Sequence, residues 1–231
     1  MRVVRVVVVV GLLGLTAGGC NRDEPDAARP RVKGELVGLF AVSPGRCGTV
    51  ATGSWVRIVN PDGSLTGGPF VENRDSPCPD RTVTPLCPGA EGGLRTGDYQ
   101  PFTGSPFDFA GDARDNAIVE PVTWLSVRFA LASNQRDPQA KTRVPRPTVL
   151  AKGRALSGNL RAMSVAWSGQ FLNVGAPKPD GSVPGLTGGP RGAFDERSGT
   201  YTLEWSSLLV GGPFNNSTIV FHLEGTFTRS A

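Results

Sequence analysis

Short runs in which apolar and polar residues alternate recur between residue 34 and the carboxyl terminus. In "SWVRIVN", Val56 and Ile58 lie on one face of an extended chain, and in "STIVFHLEGTF" the residues Ile219, Phe221 and Leu223 do the same. Glycine, proline, asparagine or aspartate bounds each run, as is typical of strands joined by turns. The pattern predicts an all-β fold, namely an antiparallel β-sandwich of jelly-roll or Greek-key type with eight or nine strands and long loops.

One segment, "ALSGNLRAMSVAW", fits two kinds of secondary structure. Leu156, Leu160 and Trp167 fall on one helical stripe, whereas Met163, Val165 and Trp167 alternate as they would in a strand. A glycine inside the segment weakens the helical interpretation, so we predict a strand. Because helices do not alternate with the strands, a parallel doubly wound sheet is not expected.

The amino terminus carries the pattern of an export signal. Arg2 and Arg5 precede an apolar run of ten residues, 6–15, and small residues follow that run. A membrane-spanning helix needs about 20 apolar residues, so the run is too short to cross a bilayer. A buried core helix is the alternative, and the charged stretch that follows at once disfavours it. Residues 1–19 are therefore predicted to be a cleaved signal peptide.

The segment "AGGC", which ends at Cys20, resembles the lipobox of bacterial lipoproteins. The resemblance implies that Cys20 becomes the mature amino terminus and carries a lipid, such as palmitate, that anchors the protein to the cell membrane. Ala17 departs from the usual pattern, which has leucine there, and Ala17 and Gly19 also suit ordinary signal peptidase. We expect an extracytoplasmic, lipid-anchored protein, or a secreted one if Cys20 is not lipidated.

A charged segment with two prolines, "NRDEPDAARPRVK", separates the signal from the strand-like runs. It has no apolar periodicity, so residues 20–33 are predicted to be a disordered tether. Residues 34–231 are predicted to be a single β-sandwich domain, long enough for a substantial core. The chain's 31 glycines and 20 prolines fall between the apolar runs, which favours many turns rather than disorder.

The phrase "NPDGSLTGGPF", residues 60–70, has a partial copy, "KPDGSVPGLTGGP", that begins at Lys178. In both phrases Pro, Asp and Gly follow in the order of a type I turn with a glycine bulge, so each is predicted to be a tight turn. Pro69 cannot donate a hydrogen bond to a neighbouring strand, so it predicts an edge, a bend or a bulge. Duplication of an ancestral half and convergent turn chemistry explain the repetition equally well.

Three cysteines remain beyond Cys20, and export favours disulfide bonds between them. The midpoint between Cys47 and Cys78 falls between Asp62 and Gly63, so the two cysteines would face each other across a hairpin centred there. This spacing predicts a disulfide between Cys47 and Cys78 and leaves Cys87 as a free thiol. The alternative pair is Cys78 and Cys87.

The charge pattern does not favour nucleic-acid binding. The formal net charge is +4, and the densest basic stretch, residues 141–147, is broken by two prolines, whereas a nucleic-acid binder would show a basic stripe. We expect no metal and no cofactor, because there is no C-x-x-C pair and His222 is the only histidine. Asp108, Asp112 and Asp115 are not spaced like an EF-hand loop, so an acidic turn is expected there.

Three polar residues on the last two predicted strands are the candidates for catalysis. His222 and Glu224 share one strand face, and Glu204 lies on the preceding strand. Two carboxylates about 5–9 Å apart are able to hydrolyse a glycosidic bond, so a polysaccharide hydrolase is the alternative function. A histidine bonded to its neighbours within a sheet is the simpler interpretation. The sequence has no motif of a serine hydrolase, a zinc protease or a nucleotide-binding loop.

The connection over residues 88–117 is long for a loop and holds four aromatic side chains: Tyr99, Phe102, Phe107 and Phe109. These side chains would either clip the loop onto the sandwich or line a groove for an extracellular glycan or protein ligand. Loss of thermal stability on substitution would indicate a clip, and loss of binding at full stability would indicate a ligand groove.

Three segments carry a resemblance to a family: "SPCPDRTVTPLCPGAEGGLRTGDYQP", "GAPKPDGSVPGLTGGP" and "GTYTLEWSSLLVGGPFNNSTIVFHLEGTF". They are similar to an uncharacterised family of secreted and lipid-anchored proteins of high-GC Gram-positive bacteria. The resemblance implies export and a β-rich fold, but no chemistry. We therefore expect a non-enzymatic binding or structural module of the cell envelope, attached to the membrane through Cys20.

Overall fold

The computed structural model describes residues 33–230, in which every regular element is a β-strand and there is no helix. The strands in chain order are β1 (Lys33–Glu35), β2 (Gly38–Val42), β3 (Trp55–Ser64), β4 (Gly68–Val71), β5 (Thr84–Pro85), β6 (Gly93–Thr96), β7 (Val122–Trp124), β8 (Val127–Ser133), β9 (Thr148–Lys152), β10 (Ala155–Asn159), β11 (Met163–Trp167), β12 (Gln170–Asn173), β13 (Gly188–Phe194), β14 (Thr200–Leu208) and β15 (Thr218–Arg229). All belong to one compact unit, Arg31–Ala231.

These strands form two antiparallel sheets. The large sheet has the order β1-β9-β10-β13-β14-β15-β2-β6. Outside this order, β3 pairs with β15 and also with β4 and β5. The small sheet has the order β12-β11-β8-β7. Within the described residues no helix is long and apolar enough to cross a membrane. The predicted signal peptide (1–19), Cys20 and the tether up to residue 32 lie outside the described residues.

The longest strand, β15, joins two parts of the large sheet. On one side it pairs with β14 along most of its length, and on the other it pairs first with β3 and then with β2. Gly225 lies where β15 begins its pairing with β2, and a Cβ atom there would lie 1.8 Å from the carbonyl oxygen of Ala41. The branch in the sheet therefore depends on the close backbone approach that glycine allows.

The hydrophobic core lies between the two sheets. Trp205 and Phe221 of the large sheet stack with their ring centroids 4.8 Å apart, and they share one buried cluster with Leu131 and Met163 of the small sheet. The indole Nε1 of Trp205 donates a hydrogen bond to the carbonyl of Val174 at 2.9 Å, so the polar atom of this buried ring has a partner. The predicted all-β fold, an antiparallel β-sandwich, is confirmed.

The strands are shorter and more numerous than the sequence predicted. The structure divides residues 33–230 into fifteen strands rather than eight or nine, because edge strands such as β1, β5 and β7 have only two or three residues and show no alternation. The segment at residues 155–167 is extended, as predicted, but it forms two strands in different sheets. β11 is buried on both faces, which explains why its sequence also resembles a helical stripe.

The predicted turn in the first NPDG phrase is wrong. Strand β3 continues through residues 60–64, and the chain reverses at residues 65–67 before β4 begins at Gly68. The pairing shifts between Val59 and Ser64, so an irregularity within the strand absorbs the turn-like residues. Pro69 lies in β4, which pairs only with β3, so the expectation of an edge at this proline is met.

The second copy of the phrase does form the predicted turn. The N–H of Gly181 donates to the carbonyl of Lys178 at 2.8 Å, and the N–H of Lys178 donates to the carbonyl of Ser182 at 2.9 Å. Gly181 has a φ of +91°, which is the left-handed conformation that a glycine bulge requires. The same four-residue chemistry therefore gives a turn in one context and an extended strand in the other.

The predicted disulfide is confirmed, although not for the predicted reason. Cys47 and Cys78 are bonded, with an S–S distance of 2.09 Å and their Cα atoms 5.1 Å apart. Both lie in loops, one before β3 and one after β4, rather than opposite each other on paired strands. Cys87 is a half-buried free thiol, so the alternative pairing of Cys78 with Cys87 is wrong.

Candidate functional site

Strand register brings the three predicted catalytic candidates onto one face of the large sheet. Arg191 of β13 pairs with Glu204 of β14, Glu204 pairs with His222 of β15, and His222 pairs with Trp55 of β3. Glu224 is two residues beyond His222 and therefore shares its face. We call Trp55, Arg191, Glu204, His222 and Glu224 the His222 cluster.

Two carboxylates flank the imidazole of His222, one beside each ring nitrogen. Nε2 lies 2.9 Å from Oε1 of Glu224, and Nδ1 lies 3.6 Å from Oε2 of Glu204. Glu204 also accepts a hydrogen bond from Nη2 of Arg191 at 2.7 Å. The three residues that the sequence singled out are thus brought together, with His222 between the two glutamates.

An aromatic and a cationic side chain complete this face. The ring of Trp55 stacks on His222 with centroids 4.9 Å apart and planes 5° apart. The guanidinium of Arg57 lies 4.9 Å from the centroid of Trp55 and 4.5 Å from that of Phe70. Trp55 and Arg57 are not among the predicted site residues, although the alternation in "SWVRIVN" places both opposite Val56 and Ile58.

The charges within the His222 cluster stabilise one another. The contact with His222, together with Arg191, lowers the pKa of Glu204 to about 2 against the opposing effect of burial. Burial alone would lower the pKa of His222, but the contacts with Glu204 and Glu224 outweigh it and raise that pKa. Glu204 is therefore ionised at neutral pH and has no proton to donate.

A shallow polar cleft of about 420 Å³ adjoins the cluster and shares Glu224 with it. Besides this carboxylate, side chains with hydrogen-bonding capacity contribute to its walls: Ser43, Arg154, Asp195, Thr200, Thr202 and Thr226. The cross-strand pairs of β13, β14 and β15 bring most of these residues together. We call this feature the polar cleft.

Comparisons with protein-family models, curated proteins and solved structures found no match for the chain.

Glu224 also fixes the loop that precedes β3. Its Oε2 accepts a hydrogen bond from the backbone N–H of Gly53 at 3.1 Å, and its own N–H donates to the hydroxyl of Ser54 at 3.0 Å. One carboxylate thus contacts His222, supports the neighbouring loop and lines the polar cleft. The position of Glu224 is therefore fixed by His222 and by the loop that precedes β3.

Three of the four predicted aromatic loop residues hold the loop in place. Tyr99 donates a hydrogen bond from its hydroxyl to the carbonyl of Val144 at 2.7 Å. Phe102 and Phe107 pack on Phe171, with centroids 5.4 and 5.2 Å away. Phe109 is fully exposed. The connection is also not one loop, because β6 lies within residues 88–117.

The acidic residues of this region bind groups of the protein itself. Asp108 accepts hydrogen bonds from the backbone N–H groups of Ala110 and Asp112, and Asp115 accepts from both the backbone and the hydroxyl of Thr103. Within residues 33–230 there is no group of three or more His, Cys, Asp or Glu side chains placed to hold a metal ion. The aspartates therefore act as turn-forming acceptors.

A buried lysine and serine form a second polar network that the sequence did not indicate. Nζ of Lys178 donates to the hydroxyl of Ser207 at 2.9 Å and to the carbonyls of Asn173 and Leu208 at 3.0 and 2.9 Å. Burial lowers the pKa of Lys178 to about 8, an effect that nearby carboxylates oppose. Ser207 is completely buried and donates to Gly175, so its hydroxyl has no access to a substrate. The network is structural.

Proposed function

We propose that the chain is an exported protein of the cell envelope, lipid-anchored through Cys20, whose polar cleft binds an extracellular glycan. Export is supported by the signal-like amino terminus and by the disulfide between Cys47 and Cys78, a bond that persists in oxidising compartments. Anchoring rests on the lipobox-like "AGGC" that ends at Cys20. Without a lipid on Cys20, the protein would be secreted.

The groups that line the polar cleft support a glycan as its ligand. A sugar presents many hydroxyl groups that both donate and accept hydrogen bonds, and the cleft offers hydroxyls, carboxylates and one guanidinium as partners. Arg154 and Thr226 are exposed, and their side chains are therefore open to a ligand. The cleft's shallow shape suits part of an extended polymer such as an envelope polysaccharide.

Binding is tested on an array of bacterial glycans with the full chain and a double variant, Arg154→Ala with Thr226→Val. We expect the double variant to lose affinity about tenfold, because each side chain would contribute a hydrogen bond of about 0.5–1.5 kcal/mol. The matched control is Arg229→Ala with Thr228→Val, because both residues are exposed on β15 outside the cleft. Failure of the folded wild-type chain to bind any glycan would overturn the assignment.

A polysaccharide hydrolase is the second candidate function. Its support is that Glu204 and Glu224 both contact His222, beside a cleft that Glu224 lines. Glycoside hydrolysis requires one carboxyl group with a raised pKa as the acid, whereas the pKa of Glu204 is lowered to about 2. Glu224 would therefore have to supply the proton, with Glu204 as the ionised partner.

Release of reducing sugar ends distinguishes the two functions. A hydrolase would release them from a bound glycan, and Glu224→Gln and Glu204→Gln would each abolish the release. If the protein is a binding module, the wild-type chain would bind the glycan and leave it uncleaved. Binding without cleavage is the outcome we expect.

A further inference from the structure

Phe109 has the most exposed side chain among the large hydrophobic residues at positions 33–230. The turn that carries it is nevertheless fixed. Oδ1 of Asp108 accepts hydrogen bonds from the N–H groups of Ala110 and Asp112 at 2.9 and 3.0 Å, and the N–H of Gly111 donates to the carbonyl of Asp108 at 3.1 Å. The aromatic ring thus projects from a turn whose backbone is held by its own hydrogen bonds.

The turn is also attached to the body of the protein. The backbone N–H of Arg128 donates to Oδ1 of Asp112 at 2.7 Å, and Nε of Arg128 lies 3.4 Å from Oδ2 of the same carboxylate. Phe107, two residues before the tip, packs on Phe171. A ring presented on a supported turn loses little conformational entropy when it binds, so Phe109 is preorganised for contact.

The charged groups next to Phe109 are paired with one another. Gly169 donates from its N–H to the carbonyl of Gly111 at 3.3 Å, and Gly212 lies against the side chain of Gln170. We call residues 104–111, 168–170 and 210–213 the Phe109 end. Asp108 is the only charged residue within these ranges, and the adjoining Asp112 and half-exposed Arg128 pair at the base of the turn, where Arg128 also lies 3.9 Å from Asp108. Val210 adds a second exposed apolar side chain.

We propose that the Phe109 end inserts into the surface of a lipid bilayer. Aromatic side chains are favoured at the membrane interface, and the pairing of Asp108 and Asp112 with Arg128 limits the cost of dehydrating this surface. The inference rests on the proposed lipid anchor, because residues 20–33 extend at most about 45 Å from a lipid on Cys20. An anchor of that length raises the effective concentration of the domain at the bilayer, so a weak contact is sufficient.

Insertion is measured on vesicles of phosphatidylcholine and phosphatidylglycerol with the mature chain, residues 20–231, carrying Cys20→Ser and an amino-terminal hexahistidine tag. Nickel-chelating lipid holds this protein on the vesicle, so the result does not depend on lipidation. Phe109→Trp reports the environment of the turn, and Val183→Trp is the control, because Val183 is an exposed apolar residue outside the Phe109 end. Brominated acyl chains quench only an indole that enters the bilayer.

We expect brominated lipid to quench Trp emission from Phe109→Trp at least about twofold more than from Val183→Trp, since only the first indole would contact acyl chains. Untethered protein should bind vesicles about tenfold more weakly after Phe109→Ser, whereas Val183→Ser should change nothing. Equal quenching in both tryptophan variants would overturn the proposal. It would indicate instead that Phe109 contacts a protein partner. The mass of the native chain at Cys20 separately decides whether the proposed anchor exists.

Discussion

His222 lies between two glutamates, and this placement decides how the residue titrates. The imidazolium form gains from contacts with Glu204 and Glu224 that the neutral form lacks, so the pKa of His222 rises despite burial. Trp55 covers the ring at 4.9 Å and shields it from water. Once protonated, the imidazole is therefore the positive centre of an ionic cluster on the sheet face.

The free energy of unfolding should fall as the pH rises above about 6.5. The pKa of histidine in an unfolded chain is about 6.5, and a raised folded pKa makes the stabilisation complete below that pH and lost as the pH rises through the folded value. His222→Gln should be less stable at pH 6 and should show a smaller change over this window. Urea unfolding followed by circular dichroism measures both proteins.

At acid pH, Glu204 determines how the free energy of unfolding changes with pH. Its pKa of about 2 means that its stabilisation is complete above the unfolded value of about 4.3 and is lost as the pH falls toward 2. Glu204→Gln should flatten that part of the pH profile. It should also make the fall in stability above pH 6.5 smaller, because His222 keeps only Glu224. Identical profiles for wild type and both variants would contradict the ionic description of the cluster.

At the scale of elements, Gly225 allows one strand to serve two parts of the sheet. A Cβ atom there would lie 1.8 Å from the carbonyl oxygen of Ala41, and the residue has a φ of +158°. Gly225→Ala should lower the free energy of unfolding by about 2–4 kcal/mol, because the backbones of β15 and β2 would have to separate. Urea unfolding midpoints give the measurement.

The control for this substitution is Gly189→Ala on β13. The atom nearest to a Cβ atom placed on Gly189 is the carbonyl oxygen of Gly158, 4.0 Å away, so the methyl group has room. We expect a change within about 0.5 kcal/mol. If Gly225→Ala were as mild as the control, the close approach of β15 to β2 would not be a constraint on the fold.

The disulfide constrains the loops on either side of the β3–β4 hairpin. Cys47→Ser or Cys78→Ser should each lower the free energy of unfolding by about 3–4 kcal/mol, since the bond closes a loop with a sequence separation of 31 residues. Cys87→Ser should cost less than about 1 kcal/mol, because that thiol is free and half-buried. A non-reduced digest should contain a single linked peptide pair, and one that included Cys87 would contradict the structure.

At the scale of the whole molecule, the two sheets leave a small apolar cavity between them. Its volume is about 30 Å³, and its lining includes Ile58 and Ile219 of the large sheet with Trp124, Val165 and Trp167 of the small sheet. No polar side chain other than the two indoles faces it, so it is expected to be dry.

Filling this cavity should stabilise the sandwich. Val165→Ile adds one methylene, which is worth up to about 0.8 kcal/mol when it fits existing space. Val119→Ile is the matched control, because Val119 is completely buried in the same core but does not line the cavity. Thermal unfolding should show a higher Tm for the first variant and a lower one for the second, since overpacking costs about 1–3 kcal/mol.

Much of the architecture could be predicted because strand periodicity is a local property. The alternation around Val56 and Ile58 and around Phe221 identified strands whose inner residues are buried in the structure. The NPDG turn shows the limit of local chemistry, because pairing of β3 with β4 keeps residues 60–64 extended. At residues 178–181 no such pairing competes, and the turn forms.

The sequence by itself determined the strand-rich fold, the export-like amino terminus and the identity of the candidate residues, because each depends on residues near one another in the chain. The tertiary structure alone decided that Glu204 and Glu224 meet at His222, that Trp55 covers the imidazole, and that the polar cleft lies beside them. These contacts depend on strand register across the large sheet. A shift of one residue would turn every such side chain to the other face.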